Sequence, residues 1–362
     1  MDTIGIALIG CGFVGEIHAD CYRRFVPDAR VVAAVGRDEA RAGGFAQRFG
    51  IPRWLTDYRR ALALDEVQII DLCIPNYLHA DLTIAAAAAG KHVICEKPFC
   101  LNLADADRMI AACAQAGVHL MYAEELCFAP KYVRAKQLVD EGALGNIYLV
   151  KQSEKHFGPH RDWFWDVERS GGGVMLDMGC HAIEFFRWML GKPRARAVCA
   201  HMGTYVHGDL TRGDDNAIAI VEFEGGAVGL AEESWAKRGG MDDRAEVYGS
   251  HGVTYADLLH GNALETYSEV GYGYAVEKAP ETRGWTFTVF DEAWNYGFPQ
   301  ELAHFVDCVK NGRQPLETGE DGRAVLEIIM AAYESAATGR RVALPFHSDA
   351  KIPIEPWLRR TA

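Results

Sequence analysis

The chain has 362 residues, a length that predicts two domains. Its 49% apolar and 24% charged residues suit a globular protein with a full core. A formal charge of −13, with the acidic residues spread along the chain, argues against any general affinity for nucleic-acid phosphates or anionic membranes.

Met1-Asp2-Thr3 runs straight into an apolar stretch, with no basic region and no small-residue cleavage site, so no secretory signal is expected. No apolar run reaches the ~18 residues needed to cross a bilayer. Ten cysteines without CxxC pairs read as reduced thiols. The expectation is a cytoplasmic protein with no membrane or nucleic-acid partner.

Ile4–Ile9 reads as a strand, Gly10-Cys11-Gly12-Phe13-Val14-Gly15 as a glycine turn, and Glu16 to Phe25 as a helix. A dinucleotide fingerprint requires that context. Gly10 permits the tight turn, Gly12 lets the backbone approach a pyrophosphate, and Gly15 lets helix and strand pack closely. The helix start adds amide donors for the phosphates. A glycine turn without a ligand is the bland alternative.

The second strand, Arg30 to Val35, ends in Gly36-Arg37-Asp38 rather than in an acidic residue facing the ribose. Gly36 leaves room for a 2′-phosphate that Arg37 can clamp, and Asp38 can cap the helix Glu39 to Phe49. The cofactor is NAD or NADP, with the lean to NADP; in an NAD enzyme Arg37 would stack on adenine.

Val67 to Ile74 is a buried parallel strand by its β-branched content. Pro75-Asn76-Tyr77-Leu78-His79 ends it, and Ala80 to Ala89 is a helix closed by Gly90. Lys91 to Cys95 is the next strand and delivers Glu96-Lys97-Pro98. Lysine is seldom buried without a partner, and Pro98 keeps Lys97 out of the helical region. Lys97 is therefore a structural ion-pair member or a chemical group delivered to a crevice. Leu101 to Ala116 (helix) and Val118 to Tyr122 (strand) complete a doubly wound parallel sheet, predicted over residues 1–122.

The pattern then changes. Pro130 to Glu141 reads as a helix and Asn146 to Glu154 as a strand. An aromatic and histidine-rich loop follows, and Gly171-Gly172-Gly173 opens a helix from Val174 to Leu190. Ala195 to His201, Asn216 to Phe223, Ala227 to Glu233, Val247 to Gly249 and Gly252 to Ala256 are strands, and Gln300 to Lys310 and Gly322 to Thr338 are helices. The expectation for residues 123–362 is an α+β domain with an open, largely antiparallel sheet, its closing helices free to pack back on the first domain. The open face needs a cover, so a homodimer or homotetramer through this sheet is expected.

In the loop, His156, His160, Arg161, Trp163 and Trp165 suit a wall that stacks on sugar faces and bonds hydroxyls. A metal set from His156, His160 and His181 with Glu154 or Cys180 is the sharper alternative. Gly158-Pro159 forbids a helical ligand pair, and no metal is expected. Tyr296 is a further pocket candidate, and Trp235 and Trp285 are read as core or interface.

The chain resembles the Gfo/Idh/MocA family of oxidoreductases. The resemblance rests on Gly10-x-Gly12-x-x-Gly15, Ile74-Pro75-Asn76 with His79, Gly90-Lys91-His92-Val93 leading into Glu96-Lys97-Pro98, Gly142-x-x-Gly145-x-Ile147, Asp177-x-x-x-His181, and Glu334-Ser335 with Thr338-Gly339-Arg340. It implies a Rossmann domain with a second open-sheet domain, and hydride transfer between NAD(P) and a secondary carbinol of a sugar, cyclitol or related polyol. It implies cofactor contacts from Gly10, Gly12, Phe13, Val14, Gly15, Ile74, Pro75, Asn76, His79, Glu96 and Lys97. It places Lys97 between nicotinamide and substrate, makes Asp177 and His181 the substrate-binding and acid/base pair, and suggests a cis Lys97–Pro98 bond. The family's ring-contacting arginine is missing. Cys127 stands in its place after Glu124-Glu125, which makes Glu125 a substrate candidate.

The chemistry agrees with these roles. A carbinol proton needs a base, and His181 titrates near neutrality on the same predicted helix face as Asp177. Lys97 can stabilise developing alkoxide charge. Two rivals stand beside a dehydrogenase: an enzyme with retained NAD that uses transient oxidation for glycoside cleavage or elimination, and a non-catalytic dinucleotide-binding regulator.

Overall fold

The computed structural model describes residues 3–260, 264–268, 284–288 and 291–361. The first part alternates strand and helix: β1 (Ile4–Ile9), α1 (Phe13–Phe25), β2 (Ala29–Val35), α2 (Glu39–Phe49), β3 (Trp54–Leu55), α3 (Tyr58–Leu62), β4 (Ile69–Leu72), α4 (His79–Ala88), β5 (His92–Glu96), α5 (Leu103–Ala116) and β6 (Leu120–Ala123). The strands pair in parallel in the order β3-β2-β1-β4-β5-β6. Ile6, Ala7, Leu8, Ile69, Ile70, Val93 and Ile94 are fully buried, as both faces of a covered parallel sheet require. The order reverses between β1 and β4, so a crevice opens beyond their carboxyl ends. Asp38 caps α2 by accepting from the Arg41 amide, and Lys97–Pro98 is cis. The edge strand β3 and helix α3 were not foreseen; two and five residues are too short to show a period.

The chain continues with α6 (Pro130–Asp140), β7 (Ile147–Lys155), α7 (Val167–Ser170), α8 (Val174–Asp177), α9 (Gly179–Met189), β8 (Ala195–Gly203), β9 (Asn216–Phe223), β10 (Val228–Ser234), β11 (Asp242–Gly249), β12 (Gly252–Asp257), β13 (Leu264–Ser268), β14 (Gly284–Thr288), α10 (Glu292–Tyr296), α11 (Phe298–Asn311), α12 (Gly319–Thr338), β15 (Val342–Ala343) and α13 (Glu355–Thr361). Seven strands form a sheet in the order β12-β11-β7-β10-β9-β8-β15, antiparallel except for β7 beside β10. One face is covered by α9, which packs on β7 and β10. The other leaves Ile218 and Ile220 of β9 and Val253 and Tyr255 of β12 exposed.

The chain divides into two compact units. Residues 1–128 with 297–324 form one, and residues 129–296 with 325–362 form the other. In the first unit α11 packs on α1.

One expectation needs correction. The single helix from Val174 to Leu190 is two helices, broken at Met178. The Met178 backbone stays in the right-handed helical region, and the His181 amide bonds the Met178 carbonyl three residues back instead of the Asp177 carbonyl. Gly179 opens α9 with Met175 packed against it: a Cβ there would lie 2.5 Å from Met175 Cε. Of Trp285 only the strand it occupies is described, so its side chain lies outside the described structure.

Candidate active site

The first unit builds a dinucleotide cradle. Gly10 has φ +118°, and a Cβ there would sit 2.0 Å from the Cys73 carbonyl oxygen. A Cβ at Gly15 would sit 2.0 Å from the Gly10 carbonyl oxygen, whereas one at Gly12 would meet nothing within 4 Å. Two glycines thus close the turn and the third leaves open space at the α1 N-terminus, beside Phe13 and Val14. This division suits a pyrophosphate at Gly12. Gly36 has a packing reason of its own, because Ala42 Cβ and Cys11 Sγ approach where its side chain would be. Arg37 is exposed at the end of β2.

Beyond β4, Ile74 and Pro75 lead into a short 3₁₀ turn, Asn76–Leu78, with Asn76 buried. Buried His79 has Nδ1 3.0 Å from the Phe99 carbonyl and Nε2 2.9 Å from the Ile74 carbonyl. Burial pushes its imidazole below the ordinary value. His79 thereby ties the β4 exit to the segment just after Pro98.

Under this crevice lies a cluster that sequence reasoning missed. His18 of α1 is fully buried, with Nδ1 2.9 Å from Asp71 Oδ2 of β4 and Nε2 3.0 Å from Glu96 Oε1 at the end of β5. The second contact is a close ion pair set off the line of a straight hydrogen bond. The Tyr22 hydroxyl also donates to Asp71, at 3.0 Å. Burial alone would discharge His18; Asp71 overrides it and holds the imidazole well above its ordinary value. Glu96 Oε2 accepts the main-chain N–H of Lys97 at 3.1 Å. Glu301 of α11 is fully buried, and burial with the charges of Glu125 and Glu96 pushes its carboxyl well above the carboxylate range. Glu125 is buried in the 3₁₀ turn Glu125–Phe128, and Cys127 is fully buried in the same turn. The available signal was Asp71, a charge inside the apolar run Ile69-Ile70-Asp71-Leu72, which demands a partner.

The second unit holds Asp177 and His181, each 3% exposed. Asp177 ends α8 and its Oδ2 accepts from Trp235 Nε1 at 3.3 Å. His181 lies in the first turn of α9. Asp214 fixes the start of α8. Its carboxylate accepts from the amides of Gly173 (3.1 Å) and Met175 (2.8 Å) and from the Tyr333 hydroxyl (2.7 Å). Its neighbour Asp215 accepts three amides, from Tyr205, Val206 and His207, at 2.7 to 2.8 Å.

The aromatic loop closes around Trp235, which is fully buried. Trp165 packs edge-on against it at 5.4 Å and Phe164 at 6.2 Å, while Trp163 stacks on Phe164 at 3.9 Å. His207 lies 4.9 Å from both Phe157 and Trp165. His156 is buried and meets His160 edge-on at 5.1 Å; Arg161 is exposed. Tyr296 is buried at the end of α10. Trp235 is therefore core, and it links the loop to Asp177.

Comparison with known proteins bears on both units. The family described as "Oxidoreductase family, NAD-binding Rossmann fold" matches residues 4–124, and "Oxidoreductase family, C-terminal alpha/beta domain" matches residues 136–344. The chain is 30% identical to a myo-inositol 2-dehydrogenase of Thermotoga maritima, over 94% of this chain and 98% of that one. It is 30% identical to a D-apiose dehydrogenase of Paraburkholderia graminis, over 93% and 89%. The crystal structure of GenD2 from gentamicin A biosynthesis, in complex with NAD, superposes with a TM-score of 0.90 at 35% identity, covering 96% of this chain and 97% of that one.

Proposed function

The chain belongs to the Gfo/Idh/MocA family of oxidoreductases, and from that premise we propose that it moves a hydride between NAD(P) and a secondary carbinol or ketone of a sugar, cyclitol or glycoside. The observation that carries this reading is the pairing, within one unit, of an open Gly12 cradle with a β5 end that delivers Lys97. The relatives that support the substrate class are named for polyol and sugar dehydrogenation.

Bound nicotinamide supplies the hydride acceptor. Gly10, Gly12, Phe13, Val14 and Gly15 hold the pyrophosphate, Ile74, Pro75 and Asn76 line the crevice, and His79 and Glu96 brace its lips. In the oxidative direction the carbinol C–H electron pair leaves with hydrogen as hydride, the O–H proton passes to His181, and the carbonyl forms. Lys97 stabilises the alkoxide charge as it develops, and Asp177 holds a neighbouring hydroxyl. Glu125, His156, His160, Arg161, Trp163, Trp165 and Tyr296 contribute to substrate recognition, directly or by shaping the wall. Arg37 favours NADP over NAD. A cytoplasmic location and a homo-oligomer formed through the open sheet face belong to the same proposal; ten cysteines carrying thiols and the exposed Ile218, Ile220 and Tyr255 support them. Among the described residues no helix is long and apolar enough to cross a membrane.

A panel of polyols, aldoses and glycosides with NAD and NADP in parallel tests the reading, following both reduced cofactor and sugar product. Stoichiometric reduced cofactor with a keto product is expected. Aglycone release without net cofactor reduction would overturn it in favour of transient oxidation.

A further inference from the structure

We propose that His18 is a positioning residue for Lys97, acting through Glu96. The inference rests on the reading of Lys97 as the group beside the reacting oxygen.

Three elements meet at His18. From α1 the ring contacts Asp71 on β4 through Nδ1 and Glu96 on β5 through Nε2, at 2.9 and 3.0 Å. The far oxygen of Glu96 accepts the Lys97 amide at 3.1 Å. An unbroken line of polar contacts therefore runs from the sheet interior to the main chain of the lysine. Pro98 restricts Lys97 from the following side, so the backbone of residue 97 is fixed at both its nitrogen and its carbonyl end. Phe298 closes the cluster, its ring 5.9 Å from that of His18.

Stability gives no reason to keep such a group. Burying an imidazole among carboxylates carries a desolvation cost that apolar side chains of the same volume avoid, and replacing buried ion pairs by packed apolar groups is often neutral or stabilising. What an ionic cluster adds is direction. A ring gripped from two strands holds Glu96 in one rotamer, and a held Glu96 carboxylate orients one amide. That amide belongs to the residue whose side chain must meet a developing oxyanion, where a shift of about 1 Å costs on the order of a hundred-fold in rate.

The test compares kcat, KM and NAD(P) Kd for the intact enzyme, His18→Gln, Glu96→Gln, the double variant, and Lys97→Ala as reference. Each of the two single variants is expected to lower kcat about ten-fold or more, and in His18→Gln KM and cofactor Kd move less than about three-fold. The double variant is expected to match the worse single within about three-fold, because both changes cut one line. Losses that multiply, or losses confined to KM, Kd or thermal stability, would overturn the proposal while a collapse of kcat in Lys97→Ala left the lysine's role standing. Wild-type turnover in Lys97→Ala would overturn both. Should His18→Gln fail to fold, Asp71→Asn removes the charge on the other side of the ring, and the same kcat-selective loss is required of it.

Discussion

The indole N–H of Trp235 donates to Asp177 Oδ2 at 3.3 Å, inside a core where Trp235 is fully buried and Asp177 nearly so. Trp235 also receives the edges of Trp165 and Phe164, so one side chain sets both the aspartate and the aromatic loop. Trp235→Phe keeps most of that packing and removes the donor. A hydrogen bond to a charged group contributes about 1.5–3 kcal/mol, so kcat/KM for the sugar substrate should fall about ten-fold or more. Cofactor Kd measured by fluorescence titration should stay unchanged. An unaltered kcat/KM would show that this bond does not orient Asp177.

The three fingerprint glycines should fail in different ways. At Gly12, with φ −100° and no atom within 4 Å of an added Cβ, alanine should cost the apo protein little, within about 0.5 kcal/mol. It should weaken cofactor binding about ten-fold or more, because the methyl occupies the pyrophosphate's approach. At Gly10 and Gly15 a Cβ runs into backbone oxygens at 2.0 Å, so alanine should lower Tm before any cofactor is added. Thermal melts with and without cofactor separate the cases.

Arg37 stands exposed just after β2, and Asp38 is occupied with capping α2. Arg37→Ala should raise KM for NADP by about ten-fold or more while leaving KM for NAD within about two-fold. Equal losses for both cofactors would assign Arg37 to the adenine instead.

The pH dependence of stability has a sign that follows from His92. Its Nδ1 accepts the His119 amide at 3.0 Å and the two rings stack at 5.1 Å. Burial, then repulsion from His119, pushes the His92 imidazole down to about 4. Between an unfolded value of about 6.5 and that folded value, the unfolded chain binds a proton that the folded chain refuses. Stability should therefore fall as pH drops through this window and level off below it. His92→Asn should lose less Tm between about pH 7 and about pH 5 than the parent chain does. An identical drop would place the acid sensitivity elsewhere.

Ile220 is 43% exposed on the uncovered face of the seven-stranded sheet, one of a group of apolar side chains there. Ile220→Glu should shift the protein to a smaller species in sedimentation or mass photometry, with an unchanged circular dichroism spectrum. A parent chain that is already monomeric would remove the homo-oligomer from the proposal.

Much of the first unit was legible because its signals are local. A glycine turn between strand and helix, a proline after Lys97 and a cap at Asp38 each act within a few residues, where sequence spacing equals spatial spacing. The second sheet was legible as strands separated by turns, though the break between α8 and α9 was hidden. Helix-compatible residues run through Met178, whose own backbone stays in the right-handed helical region, so no proline or left-handed turn marks the break in the sequence.

The sequence by itself determined the two-part architecture, the cofactor turn and the lysine delivered at the end of β5. Tertiary structure alone decided what surrounds these groups. His18, Asp71 and Glu96 are distant along the chain and become one cluster only because β4 and β5 lie side by side with α1 beside them. Trp235, left open between core and interface, became the support of Asp177 when the β10 exit met α8. Local propensity is written in neighbouring residues. The partner of a buried charge is written in topology, because a low-dielectric interior forces each such group to find whatever the fold brings within about 3 Å of it.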